Sequence, residues 1–213
     1  MGLFVSFEGG EGCGKSTQAK RLASRLQRSG YRVTLTYEPG GTPLGEELRR
    51  SLKKARETDL APEAELFLFA AARTQLTREV IQPALALGGV VVCDRFSDST
   101  TAYQGYGRRL SLDLVARVNE VATQGLRPDL VVLLDMAPSI ALQRKKQPPD
   151  RFEFEGLEFH DRVRSGYLHL AGTEPGRWLV LDANQPETAL HRAVWARVSG
   201  MLAAPQSRPA LQS

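Results

Sequence analysis

One run of eight residues near the start of the chain, Gly9-Gly10-Glu11-Gly12-Cys13-Gly14-Lys15-Ser16, limits what it can fold into more than any other feature. It spells G-x-x-x-x-G-K-[ST] and lies between an apolar run, Leu3–Phe7, and a stretch of helical spacing, Ser16–Arg28. Glycines let successive backbone N–H groups converge on an anion, because no Cβ blocks the approach. The following helix turns the positive end of its dipole toward the same point. Lys15 is then expected to reach β- and γ-phosphate oxygens, the Ser16 hydroxyl to ligate Mg2+, and Thr17 to add a hydroxyl near the α-phosphate. The expected ATP cradle is Gly9, Gly10, Glu11, Gly12, Cys13, Gly14, Lys15, Ser16 and Thr17. The alternative is a Gly-rich turn capped by chance, and the strand and helix flanks argue against it.

The rest of the chain fits such a beginning. Short apolar runs at Arg32–Thr36, Val90–Cys93, Leu130–Leu134 and Trp178–Leu181 alternate with helical patterns. Those patterns cover Leu44–Lys54, Pro62–Leu87, Leu112–Gln124, Pro138–Lys145, Leu157–Leu170 and Pro186–Leu202. Most of the runs are rich in Val, Leu or Phe, as strands covered on both faces are. The pattern predicts an α/β P-loop NTPase fold, three layers α/β/α around a five-stranded parallel sheet. A length of 213 residues suits one domain, expected over residues 1–202. Pro83 should end or kink its helix. Lys145–Gly156 is polar and contains Pro148-Pro149, which reads as a mobile loop, so a lid is expected at about 144–157. Residues 203–213 carry two prolines and read as a disordered tail.

Several classes are excluded. No apolar run reaches the roughly 18 residues a membrane span needs. The first residues turn polar too soon for a signal peptide. Gly2 and Ser6 formally match a myristoylation pattern, but Leu3–Phe7 reads better as a buried strand. Two cysteines, Cys13 and Cys93, make no disulfide framework, so a reducing cytoplasm is expected. The net charge of +4 comes without a Lys/Arg block or aromatic interleaving, so no nucleic-acid partner is expected. No N/T-K-x-D motif appears, which argues against a GTPase. Asp94 and Asp135 end two apolar runs, where a carboxylate faces the ligand crevice. Asp94, followed at once by Arg95, is the preferred Mg2+ residue, a charge pair beside anionic substrates; the alternative is a simple helix cap.

At this point the residues resemble one family. Phe7-Glu8-Gly9-Gly10-Glu11-Gly12-Cys13-Gly14-Lys15-Ser16-Thr17 is similar to the opening of thymidylate kinases, and so is Glu38-Pro39-Gly40-Gly41-Thr42. Asp94-Arg95, Ser99, Ala102-Tyr103-Gln104-Gly105 and Arg127-Pro128-Asp129-Leu130 follow in family order, and the likeness runs from about Leu3 to about Trp195. It implies transfer of the ATP γ-phosphoryl group to dTMP, giving dTDP and ADP, by a Mg2+-dependent cytoplasmic homodimer. The apolar segment Leu66–Ala72, hydrophobic on more than one face, agrees with a partner surface.

The resemblance also implies roles. Phe69 would stack on thymine and Arg73 would read the base, four residues apart on one helix face; plain core packing is the alternative for Phe69. Glu11 would lie near the sugar 3′-hydroxyl and the metal. Arg49 and Arg95 would hold the acceptor phosphate, Thr100 and Gln104 would surround the base, and Tyr103 would crowd the 2′ position. Some members carry a catalytic arginine in the cradle, where this chain has Gly12. The chain resembles the bacterial type, which brings cations from the lid, Arg144-Lys145-Lys146-Gln147-Pro148-Pro149-Asp150-Arg151. Lys15, Arg95, Arg144 and Arg151 are therefore the expected catalytic residues, against the alternative of a solvated basic loop. The chain departs from the family at Tyr37, where many members have Arg, and at the lysines and double proline of the lid. Rival readings are another acceptor, such as dUMP or a deoxynucleoside, and a nucleotide switch with no acceptor.

Overall fold

A computed structural model describes residues 2–54, 60–144, 152 and 155–203. Its strands are β1 (Leu3–Glu8), β2 (Val33–Tyr37), β3 (Val90–Asp94), β4 (Leu130–Asp135) and β5 (Trp178–Asp182). They form one parallel sheet in the order β2-β3-β1-β4-β5, the five strands expected. Each expected strand is present, its C-terminal end one residue further on. Among the described residues the main helices are α1 (Lys15–Arg28), α2 (Pro43–Lys54), α3 (Pro62–Leu76), α4 (Gln82–Ala86), α5 (Ser97–Thr100), α6 (Leu112–Thr123), α7 (Pro138–Arg144), α8 (Leu157–Thr173) and α9 (Glu187–Ala203). None is long and apolar enough to cross a membrane.

Strand geometry explains the layers. Alternate residues of a strand point to opposite faces. Leu3, Val5 and Phe7 of β1, with Val90, Val92, Val132 and Leu134, pack against Leu22 and Leu26 of α1 and Val194 and Val198 of α9. On the opposite face Phe4, Val91 and Cys93 meet Leu76, Ile81 and Phe96, while Val131 and Leu133 meet Phe159, Val163 and Tyr167 of α8. Asp129 explains one family-like segment: its carboxylate accepts the Phe4 N–H at 2.9 Å and pins the start of β4 to β1.

Two local expectations need correction. The single pattern Pro62–Leu87 is broken earlier than Pro83, by a wide π turn at Thr77–Ile81 between α3 and α4. Proline has no N–H and its ring crowds the carbonyl four residues back, so loosening the preceding turn lets the chain continue past it. The second miss is Ser97–Gly107, a helical turn running into another wide turn, Thr101–Gly107, which has too little amphipathic period to be recognised. The lid is described only in part, since residues 145–151, 153 and 154 lie outside the described residues, as does 204–213 of the expected tail.

Candidate active site

The strand order reverses between β1 and β3, so the loops after these strands face one another across the carboxyl edge of the sheet. A cavity of about 820 Å3 opens there, within the range of small-ligand sites. Its lining unites Glu11, Gly12, Gly14, Lys15, Ser16 and Thr17 with Arg49, Phe69, Arg73, Asp94, Arg95, Thr100, Tyr103, Gln104 and Arg144. Gly9, Gly10 and Cys13 belong to the expected cradle but border a smaller cavity behind the loop, against β4, α7 and α8. Cys13 is buried there, with its thiol donating to the Gly10 carbonyl at 3.0 Å. Arg151 lies outside the described residues.

The cradle follows from its backbone. Gly12 has φ 73 and Gly14 φ 91, conformations that side chains disfavour. A Cβ on Gly12 would also collide with the Ala141 carbonyl of α7, so this loop has no room for a charged side chain at that position. The Lys15 ammonium donates to the Gly10 carbonyl at 2.5 Å and lies 3.5 Å from the Cys13 sulfur, so it stays inside the loop's curve. Ser16 donates its hydroxyl to Oδ2 of Asp94. The other Asp94 oxygen, Oδ1, is buried with no hydrogen-bond partner among the described residues. One hydroxyl and one carboxylate with an unspent oxygen suit Mg2+, which keeps several waters and takes few protein ligands. No group of three or more His, Cys, Asp or Glu side chains forms a metal cluster among the described residues.

Asp94 and Arg95 both line the cavity and the charge of Asp94 acts on Arg95, but among the described residues no salt bridge joins the two. Arg95 has φ 74, a left-handed conformation rare for a residue with a side chain. That turn sends its guanidinium across to Glu11 of the cradle instead, with further bonds to the Gly9 carbonyl at 3.1 Å and the Tyr103 hydroxyl at 3.2 Å. Burial disfavours the Arg95 charge, but Glu11, Tyr103, Tyr167 and Asp94 outweigh it and hold the group protonated. Tyr103 also donates to Glu11 at 3.0 Å, and burial pushes its phenol well above the ordinary range.

Beneath Arg95 lies Glu8, fully buried at the end of β1. Its carboxylate accepts the Phe96 N–H at 2.8 Å, the Ser99 hydroxyl at 2.5 Å and the Tyr167 hydroxyl at 3.0 Å. Burial and the nearby charge of Asp98 raise its pKa to about 7, against the pull of Ser99, Arg95 and the Phe96 N–H.

The far end of the cavity rests on ion pairs. Arg73 is 1% exposed. It donates to Oε2 of Glu38 from two nitrogens, at 2.8 and 2.7 Å, to Asn119 at 2.9 Å and to the Phe96 carbonyl at 3.3 Å. Burial pushes the Glu38 carboxyl upward, with Arg73 opposing it. Gln104 donates its amide to Glu65 at 2.7 Å, and Arg108 fixes the same carboxylate at 3.1 and 3.2 Å. Phe69 is half-buried on the cavity wall, 6.0 Å from the Phe152 ring, rather than in the core. Arg144 is exposed and donates to the Ala183 carbonyl at 3.0 Å and to Asn184 at 3.1 Å.

Sequence reasoning gave no role to Glu8, Glu38, Glu65, Asn119 or Tyr167. Glu8 and Glu38 stand inside the segments Phe7-Glu8-Gly9 and Glu38-Pro39-Gly40-Gly41, so a signal was available. Asn119 and Tyr167 lie in mid-helix, 46 and 72 residues from the arginines they meet, and nothing local marks them.

A glycine cradle at the reversal of a parallel sheet, facing a pocket lined by arginines, defines a P-loop protein built to bring two phosphorylated molecules together. Comparison gives the family. The thymidylate kinase family model matches residues 7–194, and the chain belongs to that family. The thymidylate kinase of Dehalococcoides mccartyi strain 195 is 52% identical over 207 residues, covering 97% of this chain and 100% of that one. That of Deinococcus radiodurans is 50% identical over 201 residues, covering 93% and 97%. The crystal structure of thymidylate kinase from Ehrlichia chaffeensis superposes with a TM-score of 0.76 at 34% identity, covering 92% of this chain and 98% of that one.

Proposed function

We propose that the chain transfers the γ-phosphoryl group of ATP to dTMP, giving dTDP and ADP. The observation that carries this reading is the one cavity that joins Glu11, Gly12, Gly14, Lys15, Ser16 and Thr17 of the cradle to a pocket lined by Phe69, Arg73, Thr100 and Gln104. The cradle and Lys15 take the ATP phosphates. Arg49 and Arg95 take the acceptor phosphate. Phe69 covers one face of the thymine, Arg73 reads its edge, and Gln104, its amide nitrogen committed to Glu65, offers its carbonyl oxygen. Tyr103 is tied to Glu11 and Arg95, and by the family resemblance it crowds the 2′ position of the sugar, disfavouring a 2′-hydroxyl. Ser16 and Asp94 would hold Mg2+, whose charge offsets that of the transferring phosphoryl group. An acceptor-free switch would leave Arg49, Arg73 and Tyr103 lining an idle pocket.

ADP release measured against a panel of nucleoside monophosphates tests the assignment. Fast turnover with dTMP, slower with dUMP and none with ribonucleotides is expected; a pocket methyl discriminates by only about 1–3 kcal/mol, so some dUMP activity is consistent. Turnover that no monophosphate stimulates would refute it.

The cation that meets the transition state comes from the segment 144–151, because Gly12 offers none. Arg151 is the first candidate and Arg144 the second. Arg151→Ala is expected to lower kcat by about 10²-fold with little change in KM for dTMP, as for a contact made mainly in the transition state. If Arg151→Ala keeps full kcat, the donor is Arg144 or a lysine of the segment.

The protein acts as a cytoplasmic homodimer. Supporting this, Phe67 of α3 is 55% exposed, with Ala71 exposed one turn on, an apolar surface that a second copy would cover. A monomer mass by light scattering at micromolar concentration would exclude it.

A further inference from the structure

We propose that Tyr37 is a positioning residue for the acceptor: by binding the Glu46 carboxylate with its hydroxyl and backing Arg49 with its ring, it keeps the Arg49 cation available to the acceptor phosphate. The inference rests on the reading that Arg49 binds that phosphate.

Glu46 and Arg49 are three residues apart on α2, which makes them neighbours on one helix face. Left to itself, such a carboxylate pairs with the arginine and neutralises it. In this structure Glu46 is engaged elsewhere. Its Oε1 accepts the Tyr37 hydroxyl at 2.5 Å and the Gly41 N–H at 3.0 Å. The Arg49 guanidinium sits 5.3 Å from the centre of the Tyr37 ring and donates to the Pro39 carbonyl at 2.8 Å. Among the described residues no salt bridge pairs Arg49 with a carboxylate. Both Tyr37 and Arg49 line the large cavity.

The backbone is shaped for this contact. Gly40 has φ 144, and a Cβ there would collide with both the Tyr37 ring and the Glu46 carboxylate. The electrostatics agree: the hydrogen bond from Tyr37 holds Glu46 below the usual carboxylate range, and the same bond pushes the phenol of Tyr37 up. Tyr37 stands where the resemblance to the family leads one to expect Arg, and an arginine there would offer Glu46 a guanidinium in place of a hydroxyl.

Tyr37 is 40% exposed, so its substitution leaves the core untouched. The test is steady-state kinetics on Tyr37→Phe, Glu46→Gln, their double variant, Tyr37→Arg and Arg49→Gln. Tyr37→Phe is expected to raise KM for dTMP by roughly fivefold, the scale of one charge-assisted hydrogen bond at a half-exposed site, with kcat and KM for ATP unchanged. In the Glu46→Gln background no competing carboxylate remains, so adding Tyr37→Phe should change KM for dTMP by less than about twofold. Tyr37→Arg should restore the wild-type KM. A merely structural Tyr37–Glu46 bond would raise KM for dTMP in Glu46→Gln alone, whereas here that single variant should keep the wild-type KM. The proposal is overturned if Tyr37→Phe leaves KM for dTMP unchanged while Arg49→Gln raises it, or if the rise persists with Glu46→Gln. If Arg49→Gln itself leaves KM for dTMP unchanged, the assignment of Arg49 falls, and this proposal with it.

Discussion

The two ends of the cavity are built on different principles. At the cradle end the backbone supplies the recognition, and the side chains of Ser16, Thr17 and Arg144 are exposed. At the far end the polar side chains are buried and already paired, Arg73 with Glu38 and Asn119, Gln104 with Glu65. A phosphate chain is alike in every nucleoside triphosphate, so converging N–H groups suffice for it. A base edge is individual, and reading it needs donors and acceptors held at fixed positions. Burying those groups costs desolvation, which their mutual ion pairs offset only in part, as the raised Glu38 carboxyl shows. On the proposed reading, donor binding is thus a property of the loop's shape, and acceptor recognition a property of packing.

The largest expected effect breaks the contrast at the cradle end. Lys15→Ala removes the cation proposed to meet the donor phosphates but touches little of the core. It should lower kcat by about 10³-fold or more while circular dichroism and the melting temperature stay near wild type. Near-normal turnover in a folded variant would remove Lys15 from the chemistry and weaken the whole cradle assignment.

At the acceptor end one substitution should damage binding and stability together. Arg73→Ala leaves Glu38 buried without its partner, a loss of about 3 kcal/mol or more in urea unfolding. KM for dTMP should rise before kcat falls. If stability drops and KM for dTMP stays unchanged, Arg73 supports the pocket wall without reading the base.

The same contrast explains what was legible in the sequence. The cradle is continuous, so Gly9–Ser16 announces itself, and the fold follows from the strand before it and the alternating elements after it. Phe69 and Arg73 came from the family resemblance, and the helix turn between them agrees with both lining the cavity. Asn119, which meets Arg73 across 46 residues, was not legible, because its role exists only once α6 packs on α3. Arg95 was half legible. Its position after β3 put it at the site, but its left-handed φ, which turns it from Asp94 to Glu11, is written in no local pattern. The wide turn before Pro83 is a compromise between a proline and a continuing helix, and only the break, not its place, could be read.

The smallest expected effect sharpens the comparison at the point where the two ends meet. Glu8 lies under Arg95, buried like the acceptor-end groups but joined to the cradle strand, and its partners Ser99 and Tyr167 each lie 3.3 Å from the Arg95 guanidinium. Its pKa is raised from 4.5 to about 7, so between those values the folded protein binds a proton that the unfolded chain has lost. The raised value therefore favours folding below pH of about 4.5, and that contribution fades as pH rises through about 7. At about 1.4 kcal/mol per unit, the shift amounts to roughly 3 kcal/mol across the window. Asp98 opposes the ionised form, while Arg95 and the Phe96 N–H favour it. Glu8→Gln keeps the size of the side chain and cannot ionise, so its stability should not carry this term. Melting temperatures of the two proteins, measured between pH 5 and 8, should diverge as pH rises, with the variant gaining on wild type. Parallel curves would mean that Glu8 is ionised throughout, its charge fully balanced by Arg95 and its three donors. The buried acceptor-end style of construction would then stop short of β1.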